Sequence, residues 1–148
     1  MAGPQARPQS RPLSPHLSIW KWGPHMAISI VNRVCGVGMA TLGTAMFVWW
    51  LAALAGGTES YADFRYWVVN ANDNGSAGWA VNYLAKLVAI GLTWAFFTHL
   101  GNGIRHFWMD LGAGFELKRN RIGALGVFAF GVLATFALWA YIFSKGSM

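Results

Sequence analysis

The 148 residues are 55% hydrophobic and only 11% charged, with nine tryptophans and ten phenylalanines, too few charges for a soluble domain, where about a quarter of residues are charged. The net charge of +6 does not read as nucleic-acid binding, because the basic residues flank apolar spans instead of lining one surface. The single cysteine, Cys35, excludes an internal disulfide and any multi-cysteine zinc or iron–sulfur site, and its apolar neighbourhood reads as packing.

Residues 1–27 are predicted to form a polar, interfacial arm. Its first 25 residues hold all five prolines together with Arg7, Arg11 and Lys21. They contain no apolar run of the kind a cleavable signal peptide needs. Trp20 and Trp22 suit the headgroup level, where indoles anchor. Residues 28–148 are predicted to be one transmembrane unit with spans at about 28–55, 79–106 and 122–143. Each exceeds the roughly 20 helical residues that cross a bilayer core. None alternates as a barrel strand would. The predicted fold is therefore an all-α membrane protein with three transmembrane helices. Recurrent small residues (Gly36, Gly38 and Gly43 in the first span; Gly123, Gly126 and Gly131 in the third) permit close helix packing. The 56–78 connection is short and polar, with GG, DNG and GSAG turn signals. Eight Lys and Arg (Arg7, Arg11, Lys21, Arg33, Arg105, Lys118, Arg119, Arg121) fall on the N-terminal side of the membrane, against three (Arg65, Lys86, Lys145) on the other. The positive-inside rule then puts the N-terminus in the cytoplasm or an organelle matrix.

Two groups of residues carry possible chemistry. His99, Gly103 and His106, spaced i, i+4, i+7, share one face of the second span. Gly103 leaves room for a flat group between the two imidazoles. His99 reads either as an axial ligand to haem iron or as a core histidine bonded between helices. A haem with its iron at His99 would turn its propionates toward the basic edge, near Arg33 and Arg105. A second axial histidine at matching depth is missing from this chain, so it would come from another one. The second group is Ser29, Asn32 and Arg33, at i, i+3, i+4. It could hold a quinone carbonyl or a lipid headgroup. Alternatively, Arg33 snorkels to phosphate and Ser29 bonds back to its own helix.

Three segments in order carry a family resemblance: RPLSPHLSIW (Arg11–Trp20), SIVNRVCG (Ser29–Gly36) and HLGNGIRHFWMD (His99–Asp110). They resemble the cytochrome b membrane anchors of succinate dehydrogenase, whose patterns run roughly RPLSPHL-x-I-Y, S-I-x-H-R-x-[ST]-G and H-x3-G-I-R-H-x3-D. The resemblance spans Arg11 to about Gly123. It implies a bundle with a second small anchor subunit, sharing haem b. It implies that electrons reach ubiquinone or another quinone from a flavoprotein subunit through an iron–sulfur subunit. This chain would carry no FAD, no cluster and no catalytic residue. The implied roles are His99 on the iron; His106, Arg33, Asn32 and Arg105 toward the haem edge; and Ser29 and Arg33 at the quinone. The implied location is the bacterial inner membrane, or the mitochondrial one. The rival expectations are the anchor of a fumarate reductase or other haem-b oxidoreductase, and a non-redox membrane scaffold. Three positions depart from the pattern: Asn32 stands for the usual His, Cys35 for Ser or Thr, and Trp20 for Tyr. Asn32 can donate a hydrogen bond but cannot titrate near neutral pH.

Overall fold

The computed structural model describes residues 20–70 and 75–146. The segment containing Arg7, Arg11 and His16, with most of the first motif, and the stretch around Asp73 lie outside the described residues. The described residues form helices joined by short turns: α1 (Pro24–Gly38), α2 (Thr44–Ala55), α3 (Gly57–Arg65), α4 (Gly75–Asp110) and α5 (Leu117–Ser144). A π-helical turn, Met39–Gly43, joins α1 and α2 into one rod. Three stretches are long and apolar enough to cross a membrane: Pro24–Ala55, Gly78–Asp110 and Leu117–Ser144. The protein is an integral membrane protein of three helical spans.

The helices overrun the expected spans, for local reasons. α1 starts at Pro24, whose ring presets a helical φ and whose missing N–H costs nothing in the first turn. α4 passes His106 and runs to Asp110, then Gly112 (φ +82) and Gly114 (φ +85) turn the chain. α5 opens at Leu117, so Lys118, Arg119 and Arg121 sit in its first turns rather than in a loop. The 56–78 connection is also mostly helical. Gly57 (φ +88) makes the turn that GG announces, but α3 and a π turn, Tyr66–Asn70, follow it. The GSAG stretch forms the first turn of α4. Asn82, almost fully buried, donates from Nδ2 to the carbonyls of Trp67 (2.9 Å) and Tyr66 (3.4 Å). That bond pair ties the π turn to α4.

The interior mixes small residues with a few polar ones, while most of the large apolar side chains lie outside. Among the buried residues are Ala95, Ala124, Thr98, Asn102 and Thr135, whereas Phe107, Phe136 and Leu117 are more than 70% exposed. In lipid there is no hydrophobic gain from burying a large side chain, so helices associate where small residues let backbones approach. α4 and α5 meet this way along their length. Gly131 lies against the Thr98 side chain, and Gly101 leaves 3.0 Å between an added Cβ and the Phe130 ring. Thr93 accepts from Trp139 Nε1 (3.3 Å) while its own hydroxyl donates to the Ala89 carbonyl (2.8 Å). α1 crosses both helices. Ile28 packs with Ala124, Val127 and Phe128, and Cys35 is buried, as its apolar setting led one to expect.

Candidate functional site

His99 and the Asn32–Gly36 turn of α1 meet across the α1–α4 contact. Its Nδ1 lies 3.2 Å from the Asn32 backbone carbonyl. A carbonyl only accepts, so Nδ1 is the donor in this bond, and in the neutral tautomer that makes it, the lone pair lies on Nε2. Orienting an imidazole through its second nitrogen is how metal-binding histidines are held. The ring fits because Gly36 has no side chain: a Cβ there would stand 3.2 Å from His99 Cε1 and 3.6 Å from Nδ1. On α4, Gly103 has nothing within 4 Å of where its Cβ would be. The face running His99, Gly103, His106 is therefore open, with His99 half-buried at its deep end and His106 exposed at its shallow end.

Helix geometry, at about 100° per residue, sets the neighbours of that imidazole. Ile28 and Cys35 mark the buried side of α1. Asn32 and Gly36 come next around the helix, then Ser29 and Arg33. Ser29 and Arg33 are both exposed, and neither forms a hydrogen bond or ion pair with another described residue. They flank the strip of α1 on which His99 docks. The Asn32 side-chain oxygen is buried without a partner among the described residues.

Arg105 was expected at the same edge as Arg33, but its side chain is engaged elsewhere. Its Nη1 donates to Asn102 Oδ1 (3.2 Å), its Nη2 donates to Asn120 Oδ1, and its Nε is 3.5 Å from where a Gly123 Cβ would be. It binds α4 to α5, about 120° around α4 from His99. Asn102 and Asn120 were missed as its partners. Asn102 left one signal, an amide inside an apolar span. Among the described residues no cluster of three or more His, Cys, Asp or Glu could hold a metal ion by itself. A single imidazole with an open lone pair suits a prosthetic group that brings its own metal.

These features define a class: a three-span helical membrane anchor whose interhelical cleft presents one oriented histidine to a flat, open face. The comparisons with known proteins make that class specific. The chain belongs to the succinate dehydrogenase/fumarate reductase transmembrane subunit family, whose model matches residues 7–138. It is 32% identical over 129 residues to the succinate dehydrogenase cytochrome b556 subunit of Rickettsia felis, covering 87% of this chain and 90% of that relative. To the mitochondrial cytochrome b560 subunit of Mus musculus it is 34% identical over 131 residues, covering 88% and 71%. To the b556 subunit of Paracoccus denitrificans it is 30% identical over 111 residues, covering 74% and 75%. Its function is that of the family, a membrane-anchoring cytochrome b subunit of a succinate dehydrogenase complex.

Proposed function

We propose that His99 is this chain's axial ligand to haem b, and that Ser29 and Arg33 bind the quinone. The observation that carries this reading is the bond from His99 Nδ1 to the Asn32 carbonyl, which engages that nitrogen on α1 and leaves Nε2 for another partner. The residues fit a haem: an imidazole held through Nδ1 with Nε2 unengaged among the described residues, the open Gly103 face, and His106 and Arg33 toward the basic end. When bound, haem b supplies an electron-carrying iron. A second small anchor would supply whatever further ligand the haem takes, and would then cover the His99 face of α4. Asn32 anchors His99 through its backbone and turns its amide toward the haem edge. Arg105 keeps α4 and α5 in register behind the site.

The basic end of the bundle faces the cytoplasm of a bacterial inner membrane, or the matrix of a mitochondrion. There it receives an iron–sulfur subunit, itself fed by a flavoprotein. As electrons reach the quinone, its carbonyl oxygens gain negative charge. The Ser29 hydroxyl and Arg33 guanidinium donate hydrogen bonds to that charge, stabilising it more than the neutral ring. FAD, clusters and the dehydrogenation itself belong to the partner subunits. The relatives named above are succinate dehydrogenase subunits, which supports succinate oxidation over fumarate reduction as the working direction.

The test is the visible spectrum of the purified complex carrying His99→Ala. The low-spin b-type bands should disappear or change form, while the complex still assembles. An unaltered spectrum and potential would overturn the ligand assignment.

A further inference from the structure

On the side of α4 away from His99, two cavities adjoin along the α4–α5 groove. The inner one, of about 350 Å³, is lined by Gly101, Ile104, Gly126, Val127 and Phe130. The outer one, of about 320 Å³, is lined by Met109, Gly114, Arg119, Asn120 and Ile122. Arg105, Trp108 and Gly123 line both. The Arg105 stem lies across Gly123, where a Cβ would stand 3.6 Å from its Cδ. The groove is thus apolar along its length, with the Arg105 guanidinium midway and Arg119 and Asn120 at its outer end. We propose that it binds an anionic phospholipid, with its phosphate at Arg105 and Arg119 and one acyl chain over Gly101, Gly126 and Phe130.

Three observations favour that occupant. The first is charge. Arg105 forms no ion pair with another described residue, and two of its five N–H groups are spent on asparagines. The remaining donors suit a phosphate. Arg119 is shared only with Glu116, in an exposed pair at 3.2 Å. The second is depth. Phe130 lies ten residues beyond Asn120 on α5. At about 1.5 Å per residue that is roughly 15 Å, one leaflet of a bilayer core of about 30 Å. The third is direction. Arg105 and Gly101 lie about 120° and 160° around α4 from His99, so a second anchor seated on the His99 face leaves this groove to lipid. Trp108, 61% exposed, stands where an indole meets headgroups.

The intact complex, purified in mild detergent and delipidated, provides the test. Micelles doped with phosphatidylglycerol or with phosphatidylcholine of the same chains are added, and lipid retention and melting temperature are read. Phosphatidylglycerol should be retained and should raise the melting temperature; phosphatidylcholine should do neither to the same degree. Arg105→Gln should weaken retention about fivefold, the effect of one basic residue near an anionic headgroup. That change also loosens the α4–α5 contact, so Gly126→Leu is the deciding arm. A Cβ at Gly126 meets nothing within 4 Å and Gly126 lines the inner cavity, so a leucine there has room to start and projects into the groove. It should abolish retention and stabilisation while the b-type spectrum and quinone turnover persist. Equal effects of the two lipids, or undiminished retention in Gly126→Leu, would overturn the proposal.

Discussion

At Gly36 an added Cβ would stand 3.2 Å from His99 Cε1, closer than ordinary carbon contact. The ring turns its Nδ1–Cε1 edge to α1, with Nδ1 on the Asn32 carbonyl, so moving away from a new Cβ strains that bond. Gly36→Ala should therefore shift the haem potential modestly, and Gly36→Val should lower haem retention outright. Haem-to-protein ratio and redox titration check both; equal haem content in the valine variant would mean the ring is not confined as described. Arg33 and Ser29 test the other group. Arg33→Leu should lower succinate:quinone activity by about 10²-fold, the usual cost of deleting a donor to developing negative charge. Succinate oxidation by a soluble dye at the flavin should continue. Ser29→Ala should raise the KM for quinone. Unchanged quinone kinetics in both variants would favour headgroup snorkelling. His99, Ser29 and Arg33 stand out as candidates in the sequence because polar groups are conspicuous in apolar spans. The part played by residue 32 is not, because its contact with His99 is made by backbone. For the same reason asparagine in place of histidine leaves that contact intact. The bond of Arg105 to Asn120 is hidden for a different reason: the partner lies on another helix, and only the α4–α5 register reveals it.

Between elements, the α4–α5 contact shows which interaction matters more in lipid. Gly131→Ala would drive a methyl into the Thr98 side chain, which is fully buried and has no room to move. Overpacking of this kind costs about 1–3 kcal/mol. Trp139→Phe would keep most of the ring and lose the bond to Thr93. Such interhelical bonds average only about 0.6 kcal/mol in membranes. Gly131→Ala should therefore lower the melting temperature of the purified complex by more than Trp139→Phe does. The reverse order would mean that hydrogen bonding, and not close approach, holds the two helices. That three spans exist follows from apolar length alone. Their ends do not, because a helix leaving the hydrocarbon core continues until a glycine turn stops it, and charges at headgroup depth do not break it. The π turn at Met39–Gly43 left no sequence signal either. There the Thr44 backbone N–H donates to the carbonyl of Met39, five residues back, a hydrogen-bond register that residue periodicity does not encode.

For the whole molecule, the ends of the bundle differ in charge and the structure brings the basic residues together. Lys21 and His25 before and in α1 line one cavity with Leu117 and Arg121 of α5, so the start of α1 and the start of α5 share an end. α4 runs the opposite way and finishes there, at Asp110. The other end carries α3, with Glu59, Asp63 and Arg65, and Lys145 at the close of α5. Counted over the full sequence the bias is eight Lys and Arg against three. Acidic residues contribute little to orientation, so Glu59 and Asp63 do not alter the count. The bias also survives local loss: without Lys118, Arg119 and Arg121 five basic residues would still stand against three. A three-span chain must end opposite to where it begins. A reporter that works only outside the cytoplasm, fused after Met148, should therefore be active, and its cytoplasmic counterpart silent. Substituting Lys118, Arg119 and Arg121 together by glutamine should leave that pattern unchanged. An active cytoplasmic reporter at Met148 in the parent chain would reverse the orientation, and with it the side on which Ser29 and Arg33 meet their electron donor.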